Sequence, residues 1–190
     1  MDNGASSYRR FTEGDESGFV EIVRDYKDGL ILYLNSFVRD VRIAEELAED
    51  TFVKLGIKKP KNFEKASFKT WLYTIGRNTA IDYIRHTARK RIISLDDLPD
   101  AADDAYSLEE SYIHEENKRQ LHHAIGELKS EYRQVLTLIY FEDMTCKEAA
   151  KIMKKSTHNI EALVSRARKA LKVKLEEQNK DAVSSEWRTT

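Results

Sequence analysis

The sequence is short of the residues from which tight turns and cross-links are made. Among 190 residues there are seven glycines, two prolines and one cysteine. Sheet proteins need many tight turns and doubly wound nucleotide folds need glycine-rich loops, so this scarcity predicts long helices. Cys146 has no second cysteine with which to form an internal disulfide, and no zinc site can be assembled around it. That agrees with a reducing cytoplasm. No run of about 18 apolar residues is present and no charged, apolar and small-residue leader opens the chain, which predicts a soluble, cytoplasmic protein without membrane insertion. Catalytic constellations are missing as well. There is no phosphate loop and no serine, histidine and acid spacing, and His114-Glu115-Glu116 lacks the second histidine of a zinc hydrolase helix. His122 and His123 would point about 100° apart on a helix, so with Cys146 they read as surface residues and not as metal ligands. No enzyme, no cofactor and no metal is expected.

What is present is charge, at 34% of residues, and its segregation is more informative than the net value of −1. From Glu13 to Asp50 eleven acids face four bases; from Lys54 to Arg91 eleven bases face only Glu64 and Asp82. Between Asp96 and Glu116 lie nine acids and no base, with Pro99 and small residues among them. Such a stretch buries too little apolar area to offset its ordering entropy, so it is expected to be a flexible acidic linker. Bases return from Lys147 to Lys174. The length allows one domain or two small ones, and a core built from under about 90 residues would be marginal by itself.

Apolar spacing predicts the elements. Asp15 is a candidate N-cap for a long amphipathic helix carrying Phe19, Ile22, Val23, Tyr26, Leu30, Leu34, Phe37 and Val41. A second helix, Ile43 to Leu55, puts Leu47, Thr51 and Leu55 on one face and Glu45, Glu46, Glu49 and Asp50 towards another, with Gly56 and Pro60 breaking it. After a loop, a third helix repeats Phe68, Trp71, Leu72 and Ile75, and Asn78 and Asp82 continue that stripe with polar groups. Trp71 is expected in the core and Asp82 to be structural. Arg85, Arg89, Lys90 and Arg91 crowd the helix end beyond what its dipole requires, which fits phosphate contacts. In the second half, Leu121, Ile125 and Leu128 form one stripe and Tyr132, Val135, Leu136 and Ile139 the next. Thr145-Cys146-Lys147-Glu148 is a capping-box pattern, a break follows at Lys154 to Thr157, and Ile160, Leu163, Val164, Ala167 and Leu171 define a longer helix. That is a helix-turn-helix unit, whose second helix fits the major groove. With those apolar residues inward, His158, Asn159, Glu161, Ala162, Ser165, Arg166 and Lys169 are left outward. Lys154 occupies a turn position where glycine is common.

Three stretches, Ala44 to Leu55 (AEELAEDTFVKL), Ser67 to Lys90 (SFKTWLYTIGRNTAIDYIRHTARK) and Tyr132 to Met153 (YRQVLTLIYFEDMTCKEAAKIM), with Asn159 to Lys172 (NIEALVSRARKALK), resemble the extracytoplasmic-function group of the bacterial sigma-70 family. The resemblance implies an all-α fold of two small helical domains: a region 2 domain over 11–92, an acidic linker over 93–117, a four-helix region 4 domain with the helix-turn-helix over 118–176, and a polar tail over 177–190. It implies an initiation factor that binds core RNA polymerase through its beta-prime and beta subunits and recognises promoter DNA. Glu46, Glu49 and Asp50 would dock on the beta-prime coiled coil. Phe63, Lys65, Ser67, Lys69, Asn78 and Arg85 would meet the minus-10 element, where an extruded base needs a cavity, stacking surface and donors. Asn78 reads equally well as a hydrogen-bonding residue of the core. The seven outward residues of the last helix would meet the minus-35 element, with Arg166 on a guanine edge or a phosphate. Glu161 and Leu163 stand where the family usually carries basic residues, which leaves the base preference open. The linker acids would imitate transcript phosphates near the RNA exit channel, and an anti-sigma factor is a further partner the family admits. The residues also admit two other readings: a helix-turn-helix regulator that never joins polymerase, and a helical metal-dependent enzyme on nucleic acid, for which the ligands are missing.

Overall fold

The computed structural model describes residues 4–58, 67–93 and 120–186. All regular structure among them is helical. The first half holds α1 (Ala5–Thr12), α2 (Ser17–Val38), α3 (Val41–Lys58) and α4 (Phe68–Ile93). The second holds α5, described over 120–126, α6 (Ser130–Leu136), which runs into a π-helical turn at Thr137–Phe141, α7 (Cys146–Met153) and α8 (Thr157–Glu186). Of the stretch read as an acidic linker, 93–117, all but the first residue lies outside the described residues, as do Phe63 and Lys65.

Local chemistry sets the boundaries. Asp15 does cap α2: its Oδ1 accepts from the Ser17 N–H at 3.0 Å and the Ser17 hydroxyl at 2.6 Å. The helix stops at Val38 instead of continuing to Val41, because Arg39 turns left-handed (φ 58°, ψ 28°) and gives its N–H to the Asn35 carbonyl. Asp40 Oδ1 then accepts from the N–H groups of Arg42 and Ile43 at 2.9 and 3.2 Å and starts α3. Gly56 does not end α3, which continues to Lys58. One glycine costs a helix only about 1 kcal/mol, and Phe52 and Leu55, both buried, hold that turn against the core. Two features have no counterpart in the apolar spacing. The module starts before Phe11, with Tyr8 of α1 only 1% exposed between Phe68 and Trp71, whose ring centroids lie 5.2 and 5.3 Å away. The residues expected as a polar tail continue α8 to Glu186, and Lys174 binds Glu127 at 3.2 Å, tying the helix back to the end of α5.

Ile22, Leu30, Leu34, Leu55 and Leu72 are fully buried in the first module, and Leu138, Ile152 and Ile160 in the second. These buried sets join into one continuous cluster, because α6, the π-turn and α7 pack on α2 and α4. Two cores, each marginal alone, share one interior.

Candidate nucleic-acid interface

The helix-turn-helix is held by the cap that the sequence announced. Thr145 Oγ1 accepts from the Glu148 N–H at 3.3 Å, and Glu148 Oε2 accepts from the Thr145 N–H at 3.0 Å, so both halves of the capping box close. Burial acts to raise the Glu148 pKa, but the bonds from Thr145 and Ser67 outweigh it and leave the carboxyl below its usual range. At the other end of α7, Lys154 is left-handed (φ 55°, ψ 45°) and the Lys155 N–H returns to the Ala150 carbonyl at 3.0 Å. A non-glycine residue costs about 1 kcal/mol there. Lys154→Gly is therefore expected to raise stability by up to about 1 kcal/mol, visible as a higher urea midpoint with an unchanged slope; a lower midpoint would show that the lysine side chain compensates.

In α8, Ile160 and Ala167 are fully buried and Leu163 nearly so, while Val164 is half-buried. This anchors the helix along one side. His158, Asn159, Glu161, Ala162, Ser165, Arg166 and Lys169 are all exposed on the other. Arg166 Nε rests on the Ala162 carbonyl at 3.3 Å, which leaves the terminal guanidinium nitrogens directed outward from that bond. The arrangement presents a donor-rich helix face of the width a major groove accepts.

In the first module, Glu46, Glu49 and Asp50 are exposed on α3. Their spacing continues through Val53 and Ile57, also exposed, beside Val20 of α2. Sequence reasoning missed this apolar extension; Val53 and Ile57 at i+3 and i+7 from Asp50 were the available signal. Ser67 is the N-cap of α4, its Oγ accepting from the Thr70 N–H at 3.2 Å. Asn78 is half-buried, with no side-chain hydrogen bond among the described residues. Asp82 is exposed, which corrects its structural reading: the buried face of α4 runs through Leu72, Tyr73, Thr79 and Ala80, and Asp82 stands off it. Arg85 and Arg89 are exposed beyond it, and Trp71 packs at the edge of the core against Tyr8 and Phe68.

Lys69 is not free. Its ammonium binds the Glu142 carboxylate at 2.9 Å and the Glu142 carbonyl at 2.7 Å, and the Tyr73 hydroxyl donates to the same carboxylate at 2.5 Å. Ser67 Oγ donates to Glu148 at 3.3 Å. Two residues assigned to the minus-10 strand thus face two acids of the second module, whereas Asn78 and Arg85 do not. Neither Glu142 nor Tyr73 stood out in the sequence.

Residues 22–90 match the family model for sigma-70 region 2, and residues 118–171 match that for sigma-70, region 4. The chain is 33% identical over 153 residues to the ECF RNA polymerase sigma factor SigM of Bacillus subtilis, covering 80% of this chain and 91% of that protein. The chain belongs to the ECF sigma factors. Members of this family direct RNA polymerase to promoters, so the sigma factor is a transcription initiation factor. Its fold is that of two solved relatives. RpoE of Bartonella quintana, solved with the anti-sigma factor NepR, superimposes with a TM-score of 0.70 at 23% identity over 83% of this chain and 96% of that one. CnrH, solved with the cytosolic domain of CnrY, gives 0.65 at 21% over 93% and 99%. No described helix of the sigma factor is long and apolar enough to cross a membrane.

Proposed function

We propose that the sigma factor docks on core RNA polymerase through Glu46, Glu49 and Asp50, reads the minus-35 duplex with the exposed face of α8, and holds the melted minus-10 strand with the region around Ser67, Lys69, Asn78 and Arg85. Phe63 and Lys65 belong to the same site by sequence. It catalyses nothing itself and acts in the cytoplasm, where the polymerase is. The observation that carries the reading is the division of α8: three buried residues lock the helix while seven polar or small residues stand clear of the protein along the opposite side. The bases on α4 meet phosphates, which makes binding strongly salt-dependent. An anti-sigma factor is part of the same reading, since RpoE was solved with the anti-sigma factor NepR.

The two DNA sites should fail differently. On a promoter that the holoenzyme selects from a random-sequence library, Arg166→Ala is expected to lower occupancy by about 1–3 kcal/mol if it makes a base contact, and supplying the bubble already melted should not restore the loss. Asn78→Ala should weaken binding of the holoenzyme to a single strand carrying that promoter's minus-10 sequence and leave minus-35 duplex binding untouched. Equal affinity of wild type and Asn78→Ala for that strand would remove Asn78 from the site.

A further inference from the structure

One outward residue of α8 has the wrong sign for a surface that meets DNA. From Thr157 to Leu175, Glu161 is the single acid, among Arg166, Arg168, Lys169, Lys172 and Lys174. It is exposed, and no hydrogen bond or ion pair reaches it among the described residues. Helix spacing offers none: the residues three and four positions away are Thr157, His158, Val164 and Ser165, without a lysine or arginine. Leu163, the other position that left the base preference open, is 3% exposed and turns inward. The question therefore rests on Glu161.

Its place on the helix is fixed. Ile160, beside it, is fully buried and Leu163 nearly so, and packed neighbours hold a helical side chain more precisely than a loop does. Glu161 stands in the second turn of α8, in the N-terminal part of a recognition helix that contacts base edges. A carboxylate brought there lies between two rows of phosphates, and repulsion weakens binding unless a hydrogen-bond donor meets it. In the major groove only cytosine N4 and adenine N6 donate; guanine shows two acceptors, and thymine an acceptor and a methyl group. Adenine sets its N7 acceptor beside that donor, against the second carboxylate oxygen, whereas cytosine has a C–H there. Cytosine is thus the base from which a carboxylate accepts best. Arg166 lies five residues on, about 7.5 Å along the axis or about two base-pair steps, so the two side chains address different pairs.

We propose that Glu161 selects a cytosine in the minus-35 element, accepting from its N4 amino group and excluding guanine and thymine. This rests on the reading that the exposed face of α8 meets that duplex. The acid weakens the hold on every other sequence, so discrimination arises from repulsion as much as from the new bond.

The test reconstitutes core polymerase with wild type, Glu161→Gln, Glu161→Ala and Arg166→Ala, and sequences the promoters that each holoenzyme selects from a random duplex library. Circular dichroism should show the same fold for both Glu161 variants, since the position is exposed. The aligned wild-type promoters are expected to show one minus-35 column dominated by a C·G pair, and exchanging that pair in a selected promoter should weaken binding about tenfold. Glu161→Ala should flatten this column and no other. Glu161→Gln, which keeps the shape and adds donors, should move it towards adenine. If Glu161→Ala leaves every column as it was, or tightens binding to all duplexes alike, the acid only repels phosphate and the proposal is overturned. A base other than cytosine in the column that Glu161→Ala flattens overturns it as well. In either case a minus-35 column altered by Arg166→Ala keeps the reading of α8, whereas no minus-35 change in any of the three variants removes that reading too.

Discussion

Asp50→Arg is expected to lower the affinity of the sigma factor for core RNA polymerase at least about tenfold, a loss of about 1.4 kcal/mol. The substitution changes the local charge by two on a row of three exposed acids, and placing like charges across an interface costs several kcal/mol. It does not touch the interior: Asp50 is exposed, and the neighbouring positions that hold α3, Leu47 and Thr51, are buried. Circular dichroism and the urea midpoint should stay at wild-type values. Glu176→Arg, the same change of charge on the exposed side of α8, should leave docking unaffected and so separates a local effect from one of net charge. Co-elution of Asp50→Arg with core polymerase at wild-type strength would remove the acid face of α3 from the interface. Val53→Asp addresses the apolar extension of that face in the same assay, with a loss of binding expected if the partner covers it.

The largest effect on stability is expected from Tyr8→Ala, which should cost about 3–5 kcal/mol, the range for deleting a large aromatic from a core. Tyr8 is buried against Phe68 and Trp71 and within 6.3 Å of the Phe11 ring. The helix that carries it crosses α2 closely: a Cβ on Gly18 would lie 2.2 Å from the Ser7 carbonyl oxygen. Urea denaturation should show a lower midpoint. A midpoint within experimental error of wild type would mean that α1 is not part of the folded core.

The same helix shows where sequence reasoning stops. α1 is eight residues long, and two aromatics three apart are too few to establish a period. Its place follows from Gly18, whose role becomes visible only when another backbone lies across it. The start of α3 was hidden for a related reason. The left-handed residue that ends α2 is Arg39 instead of glycine, so the chain turns without its usual marker. By contrast, Thr145 and Glu148 act on each other within one turn, and the inward residues of α8 repeat every three or four positions; both are local rules, and both were legible. The exposed acids of α3 and the outward residues of α8 were legible on the same grounds. Lys69 and Glu142 were not, because nothing in a charge pattern pairs residues 73 positions apart. Asn78 fell between: its spacing placed it in the row of Trp71 and Ile75, and only the structure shows that the buried face of α4 runs instead through Leu72, Tyr73, Thr79 and Ala80.

That separation along the chain also has a consequence in time. Most contacts of the first module join helices that are neighbours in sequence, whereas the polar contacts to the second join residues 69 to 97 positions apart. Chain-local contacts form first. On the ribosome, Glu142 follows Ile93 by about fifty residues, which at about 5–20 residues per second is a delay of several seconds. For that interval the nascent sigma factor carries Lys69 and Tyr73 without the second-module carboxylate that pairs with them. A polymerase encountered during synthesis would meet a first module whose Lys69 has not yet found Glu142.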